Sequence, residues 1–283
     1  MTLQRAAGTL RDLRDRDQPA IWELLDADPV ERVFIASRVS TLGVQRLGCP
    51  LLGWFEGEEL VSLCHCGANL MPVAANSEAL AAYAARLGSR RRRATSIVGE
   101  SQQTLELFQM LTDRGHDSWQ DPRDIRPAQP MLAINADPDI AGDPRVRRIG
   151  LDHLAAYFEA SVAMYSEEVG VSPVSQNTQG YFLHVRTLIE SGRAFGIVDR
   201  GRVIFKADLG ATAGGVAQVQ GVWLDPAVRG RGLAAPAMAS VVRIARQQFP
   251  VISLYVNDFN LPARGAYARC GFDQVGEFAT ILY

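Results

Sequence analysis

Apolar and polar positions alternate with a period of two in two stretches that each open on glycine. GWFEGEELVSLCHCGA (residues 53–68) and GIVDRGRVIFKADLGA (residues 196–211) lie 143 residues apart. Each passes a glycine-bearing turn, continues in an apolar run and closes on Gly-Ala, so each predicts a β-hairpin. Recurrence at almost half the chain length predicts two similar domains in tandem.

Around the second hairpin the pattern changes to helical spacing. RVRRIG (residues 145–150) reads as a short strand, and Asp152 as the cap of a helix carrying Leu154, Phe158, Val162 and Tyr165 on one face. A loop SEEVGVSP and a helix from Tyr181 to Ile189 precede the hairpin. A strand over 216–224 follows it. Next comes a helix with Met238, Val241, Val242 and Ala245 on one side, ending near Pro250. A strand VISLYV, a short helix over 263–269 and a last strand over 278–283 complete the second half. In the first half a helix is expected over 77–87. NADPDIAGDP (residues 135–144) has no periodicity and is rich in turn residues, so it reads as a linker between domains at 1–134 and 145–283. The fold class expected is mixed α/β, with helices flanking a central sheet in each domain.

Composition narrows the function classes. A chain of 283 residues, 47% hydrophobic and 21% charged, can bury a core in each half. A net charge of −2 gives no basis for a nucleic-acid groove or a membrane-surface protein. No apolar run reaches the ~20 residues of a membrane span, and the opening MTLQRAAGTLRDLRDRD has no apolar signal core, so a cytoplasmic protein is expected. The four cysteines suggest no disulfide framework. In Cys64-His65-Cys66, strand alternation turns the histidine away from both thiols, so a buried strand is expected and no metal site. Lys206 is the single lysine, an arginine bias that fits a GC-rich bacterial coding sequence.

The chemistry concentrates at LDPAVRGRGLAAPA (residues 224–237), where the strand over 216–224 hands over to a helix. A glycine-bearing turn entering a helix presents unpaired N–H groups at the positive end of the dipole, which suits an anion. An ordinary tight turn with two solvated arginines accounts for the same residues. Gly230, Gly232 and Ala235 also satisfy the dinucleotide form G-x-G-x-x-A. That fold is set aside, because Asp225 to Arg229 separate the strand from the first glycine and too little chain follows Asp258 for a doubly wound sheet.

Two spacings decide between the readings: R-x-x-G-x-A over 229–234, and N-x-x-A-x-x-x-Y-x-x-x-G-F from Asn260 through Tyr267 to Phe272. Together they resemble the GNAT superfamily of acyl-CoA-dependent N-acyltransferases, firmly over 216–283 and more weakly over 145–215. The resemblance implies that Arg229, Gly230, Arg231, Gly232, Leu233 and Ala234 hold the pyrophosphate of acetyl-CoA. It also implies that the pantetheine arm lies along Val222 and Leu224, that Asn260 contacts the cofactor, and that Tyr267 protonates the leaving thiolate. The acceptor implied is an amine of a small molecule or peptide; the sequence names neither it nor an oligomeric state.

An amine with a lysine-like pKa costs about 4.6 kcal/mol to neutralise at pH 7, so a base is expected. Many family members carry a glutamate on the strand before the turn; here that strand offers Gln218 and Gln220. Glu167 and Glu168 are the candidate carboxylates, with a solvated helix end as the other reading. Lys206 and Asp208 alternate onto one strand face and are expected to pair. The first half lacks the phosphate turn, and an offset of 159 sets Ser101 against Asn260 and Phe108 against Tyr267. It reads as a degenerate GNAT-like domain, as in tandem enzymes. Arg90 to Arg93 read as an exposed charged loop or an anion site. The alternative function is a non-catalytic acyl-CoA sensor.

Overall fold

The computed structural model describes residues 8–283. The opening stretch read above for a signal sequence therefore lies partly outside the described residues. The chain divides into two compact units: 1–131 with 255–259 and 274–283, and 132–254 with 260–273.

The first unit runs β1 (Thr9–Asp12), α1 (Gln18–Asp26), α2 (Val33–Leu42), β2 (Leu51–Glu56), β3 (Glu59–Cys66), β4 (Asn69–Val73), α3 (Ser77–Gly88), β5 (Ser96–Glu100), α4 (Ser101–Arg114) and most of β6 (Asp124–Ile134). The second runs β7 (Arg147–Arg148), α5 (Leu154–Val169), α6 (Val174–Glu190), β8 (Ala194–Asp199), β9 (Arg202–Ala213), β10 (Val216–Leu224), α7 (Ala234–Arg246), β11 (Val251–Tyr255) and α8 (Leu261–Arg269). The chain then returns to the first unit with β12 (Asp273–Leu282).

Both expected hairpins form. β2 pairs antiparallel with β3 and β8 with β9, with Gly57 and Gly201 at positive φ in the two turns. In the first unit the strands lie in the order β1-β2-β3-β4-β5-β12-β6. Leu80 and Tyr83 of α3 and Leu107 and Leu111 of α4 pack with Cys64, Ile97 and Ile281. The Tyr83 hydroxyl is satisfied by Ser62 Oγ at 2.9 Å, as a buried phenol requires.

One pairing differs from the expectation of an uninterrupted second domain over 145–283. β12 runs antiparallel to β5, with Thr280 opposite Val98. Its residues Phe278, Ala279 and Ile281 are buried, and Thr280 donates to Gln129 Oε1 of β6 at 2.5 Å. Its alternation satisfies a core without saying whose core that is.

In the second unit the order is β11-β10-β9-β8-β7. The predicted stripe of α7 is borne out: Met238, Val241, Val242 and Ala245 are fully buried. The helix α5 differs in detail. Asp152 does not cap it, since the N-cap position falls on His153 without a side-chain bond. Its buried residues are Tyr157, Ala160 and Ser161, while Phe158 and Tyr165 lie against Tyr181 of α6 at 5.9 and 5.7 Å between rings. The first half of the expected loop over 166–173 is helix, since α5 runs on to Val169 and its left-handed cap is Gly170 at φ +77°. Glu167 and Glu168 thus ride on the last turn of α5. Residues 135–144 are irregular, as expected, and α7 holds them: Arg243 donates to the carbonyls of Pro138 and Ile140, and Ser240 to that of Asp143 at 2.8 Å.

Candidate active site

β10 and β11 are parallel neighbours over a short ladder that ends at Gln218 and Ser253, although both strands continue beyond it. From Val219 onward, among the described residues, β10 has only β9 beside it, and that register breaks as well. Gln220 faces Asp208 and Trp223 faces Lys206, leaving Gly221 and Val222 outside the pairing. Gly221 sits at φ +56°, the left-handed region where glycine costs least. The break is a bulge, a device that bends a strand and re-aims its groups.

Beyond the bulge, Asp225 caps a short 3-10 turn by accepting from Ala227 N at 2.9 Å and pairs with Arg202 at 2.7 Å. Asp225 thus shapes the turn. The chain then passes Gly230 at φ +73° and Gly232 at φ +74° and enters α7 at Ala234. Among the described residues, nothing lies within 4 Å of where a Cβ would stand on either glycine. Pro236 in the first turn has no N–H, and the amides just before it stand at the helix N-terminus, where no intrahelical carbonyl meets them. Arg231 is exposed, and Leu233 and Ala234 are half-buried.

Other predicted residues have partners. Arg229 closes on Glu167 with two parallel bonds, Nη1 to Oε1 at 2.6 Å and Nη2 to Oε2 at 2.7 Å, and its Nε donates to Leu224 O at 3.0 Å. Trp223 Nε1 donates to the same carboxylate at 3.2 Å. The Arg229 bond holds the Glu167 carboxyl below the usual range, against a smaller opposing effect of burial. Asn260 caps α8 by accepting from Ala263 N at 3.2 Å. Tyr267 is 6% exposed, packs on Phe272 at 5.9 Å, and has its phenol pushed up by burial first and by the Glu168 charge second. The same charge reaches Tyr181. Val222 and Leu224 are half-buried along the unpaired edge of β10.

Lys206 and Asp208 pair as expected, at 2.6 Å, in a setting the sequence did not foretell. Lys206 is fully buried and also donates to Gly221 O at 3.0 Å; Asp208 accepts from Tyr157 OH at 2.7 Å. Gln218 and Gln220 bond each other at 2.9 Å. At the last rung of the β10 and β11 ladder, the buried Ser253 hydroxyl has no partner among the described residues. An orphaned hydroxyl where two strands part, and a glycine turn with open space above it, fit a ligand that runs along β10 with an anion at its far end.

Residues 176–272 match the acetyltransferase (GNAT) family. This GNAT region covers the strands, the turn and both helices just described. Residues 49–157 match a domain of unknown function, DUF4081. No curated protein sequence matches the chain. Among solved structures, a GNAT-family acetyltransferase from Colwellia psychrerythraea superposes with a TM-score of 0.58 at 14% identity, covering 97% of this chain and 99% of that one. A GCN5-related N-acetyltransferase from Sphaerobacter thermophilus gives 0.61 at 17% identity over 97% and 94%. A tandem GNAT protein from the clavulanic acid biosynthesis pathway gives 0.53 at 13% identity over 97% and 98%. The chain therefore shares its fold with GNAT proteins along nearly its whole length. The first unit, which keeps the hairpin without the phosphate turn, fits a divergent half.

In that unit, Arg92 is structural: it lies over the Tyr283 ring at 3.8 Å and donates to Ser118 O at 2.7 Å. Cys49 Sγ lies 3.3 Å from His65 Nε2, and His65 Nδ1 is 3.0 Å from Asn69 O, so the histidine is held as a buried strand residue. No group of three metal-binding side chains occurs among the described residues, and no helix among them is long and apolar enough to cross a membrane.

Proposed function

We propose that the second unit transfers an acetyl group from acetyl-CoA to an amine, directly and within one ternary complex. At the level of the family, the GNAT match supports acyl transfer from acyl-CoA. The observation that carries the reading is the continuity of β10: a strand edge without a partner among the described residues after Gln218 runs into the glycine turn at the N-terminus of α7. In this reading the amides from Gly230 to Ala234 and the guanidinium of Arg231 receive the pyrophosphate, and Val222 and Leu224 flank the pantetheine arm. Ser253 supplies a further polar contact beside it.

Tyr267, buried and holding its proton tightly, donates that proton to the sulfur as the thioester bond breaks. The amine must lose a proton before or during attack. Glu168 is the acceptor assigned here, because Glu167 is bound by Arg229 and made a weaker base. The bonded pair of Gln218, buried, and Gln220, half-buried, orients groups and takes no proton.

The test is a titration of the full chain with CoA and acetyl-CoA, followed by CoA release with a panel of amines. Saturable binding with amine-dependent thiol release supports the enzyme. Binding without turnover on every amine points to the acyl-CoA sensor, and no binding of either thioester or thiol overturns both.

A further inference from the structure

We propose that Lys206 is a positioning residue for the acyl thioester. It holds the Gly221 carbonyl and thereby aims the Val222 N–H at the thioester carbonyl oxygen. The inference rests on the acyltransferase reading above and deepens it.

A lysine with no exposed surface is costly unless its charge is matched and its donors are used. Here Asp208 matches the charge at 2.6 Å, and Tyr157 OH holds Asp208 at 2.7 Å. Buried ion pairs often give no more stability than apolar side chains of the same volume. What this pair adds is a directed bond, from Lys206 Nζ to Gly221 O at 3.0 Å, at the break between Gln220 and Trp223 where β10 leaves its register with β9. The fit is close on every side. A Cβ on Gly221 would stand 3.0 Å from Lys206 Nζ, from Asp208 Oδ2 and from Met164 Cε.

A trans peptide is planar, with its C=O and N–H directed oppositely. Fixing the Gly221 carbonyl on the buried ammonium therefore fixes the next N–H, that of Val222, away from it. Val222 is a half-buried residue on the strand edge assigned to the pantetheine arm, and it has no register partner on β9. As an amine attacks a thioester, negative charge gathers on the carbonyl oxygen, and one preorganised donor there typically gives about 10²–10³-fold in rate. The chain places its single lysine where it orients such a donor without touching substrate.

The experiment uses the full chain with acetyl-CoA carrying 13C at the carbonyl, and CoA alone as control. In wild type the bound carbonyl stretch is expected to fall below that of free acetyl-CoA. In Lys206→Met the CoA affinity is expected to stay within about threefold while the stretch returns toward the free value. A Lys206→Met protein that binds acetyl-CoA with the wild-type stretch overturns the proposal. Should that variant fail to fold, the wild type still decides. The Val222 amide resonance is expected to move more with acetyl-CoA than with CoA, and an equal response overturns the proposal while leaving the cofactor reading intact. A wild type that binds neither compound overturns the cofactor reading itself, and this inference with it.

Discussion

Arg229, in the turn before α7, and Glu167, in the last turn of α5, share a two-bonded ion pair although 62 residues separate them in the chain. Two residues assigned from sequence to different substrates are thereby tied together. The side chains are about half exposed, 40% and 50%, so the pair contributes less than about 1 kcal/mol. Glu167→Gln is expected to leave the melting temperature within a few degrees and to raise CoA affinity several-fold at low salt by releasing the guanidinium. Calorimetric titration with CoA at two ionic strengths checks this, and unchanged affinity contradicts it.

Tyr267→Phe removes one oxygen from a buried ring. Turnover is expected to fall by about 10²–10⁴-fold with acetyl-CoA affinity nearly intact. Steady-state rates on any amine that wild type accepts, beside a direct titration, separate the two effects. Unchanged turnover rules out the phenol as proton donor.

Asp208→Ala leaves a buried ammonium without its partner and is expected to destabilise the fold by about 3–5 kcal/mol. Joined to Lys206→Met, the same substitution is expected to recover a large part of that loss, since the uncompensated charge is gone. Urea unfolding of the single and double variants measures the coupling; additive losses contradict it.

Gly232→Ala tests the turn. A β-carbon meets no neighbour there, so the cost is the left-handed backbone alone, about 1–2 kcal/mol. CoA affinity is expected to drop about 5- to 30-fold, with the unfolding midpoint lowered by only about 2–8 °C. Loss of folding without loss of affinity would mean that the turn holds no ligand.

Acid stability has a separate source in the first unit. Arg11 binds Asp17 through two bonds at 2.7 and 2.8 Å and lowers its carboxyl to about 2 from an ordinary 3.8. A carboxyl depressed on folding stabilises the native state above its unfolded pKa and loses that contribution as pH falls through the folded one. The window is therefore pH 4 down to 2. Asp17→Asn is expected to flatten the stability profile in that window, and an unaltered profile contradicts the assignment.

Much of the fold was legible because local patterns settle local structure. The two hairpins followed from period two and their glycine turns, and α7 from Met238, Val241, Val242 and Ala245. The end of α5 was misread because SEEVGVSP looks like a loop, whereas the stop lies at Gly170, a left-handed cap. The candidate site was legible where its residues are close in sequence, as in the turn over 229–234. It was hidden where its residues meet across the chain, as with Glu167 and Arg229. Tyr157, Gly221 and Ser253 were missed altogether. One signal for their cluster stood in plain view: a single lysine inside an apolar strand, with an aspartate two positions on and so on the same face.

The pairing of β12 with β5 bears on how the protein is made. Synthesis delivers Ser96 to Glu100 early, and the strand that lies beside them only after the whole second unit has emerged from the ribosome. Until then the first unit carries an open sheet edge, a template for unwanted pairing with other chains. Folding of the first unit is thus completed after translation of the second, and a cell that stalls between them holds a nascent chain with an adhesive edge.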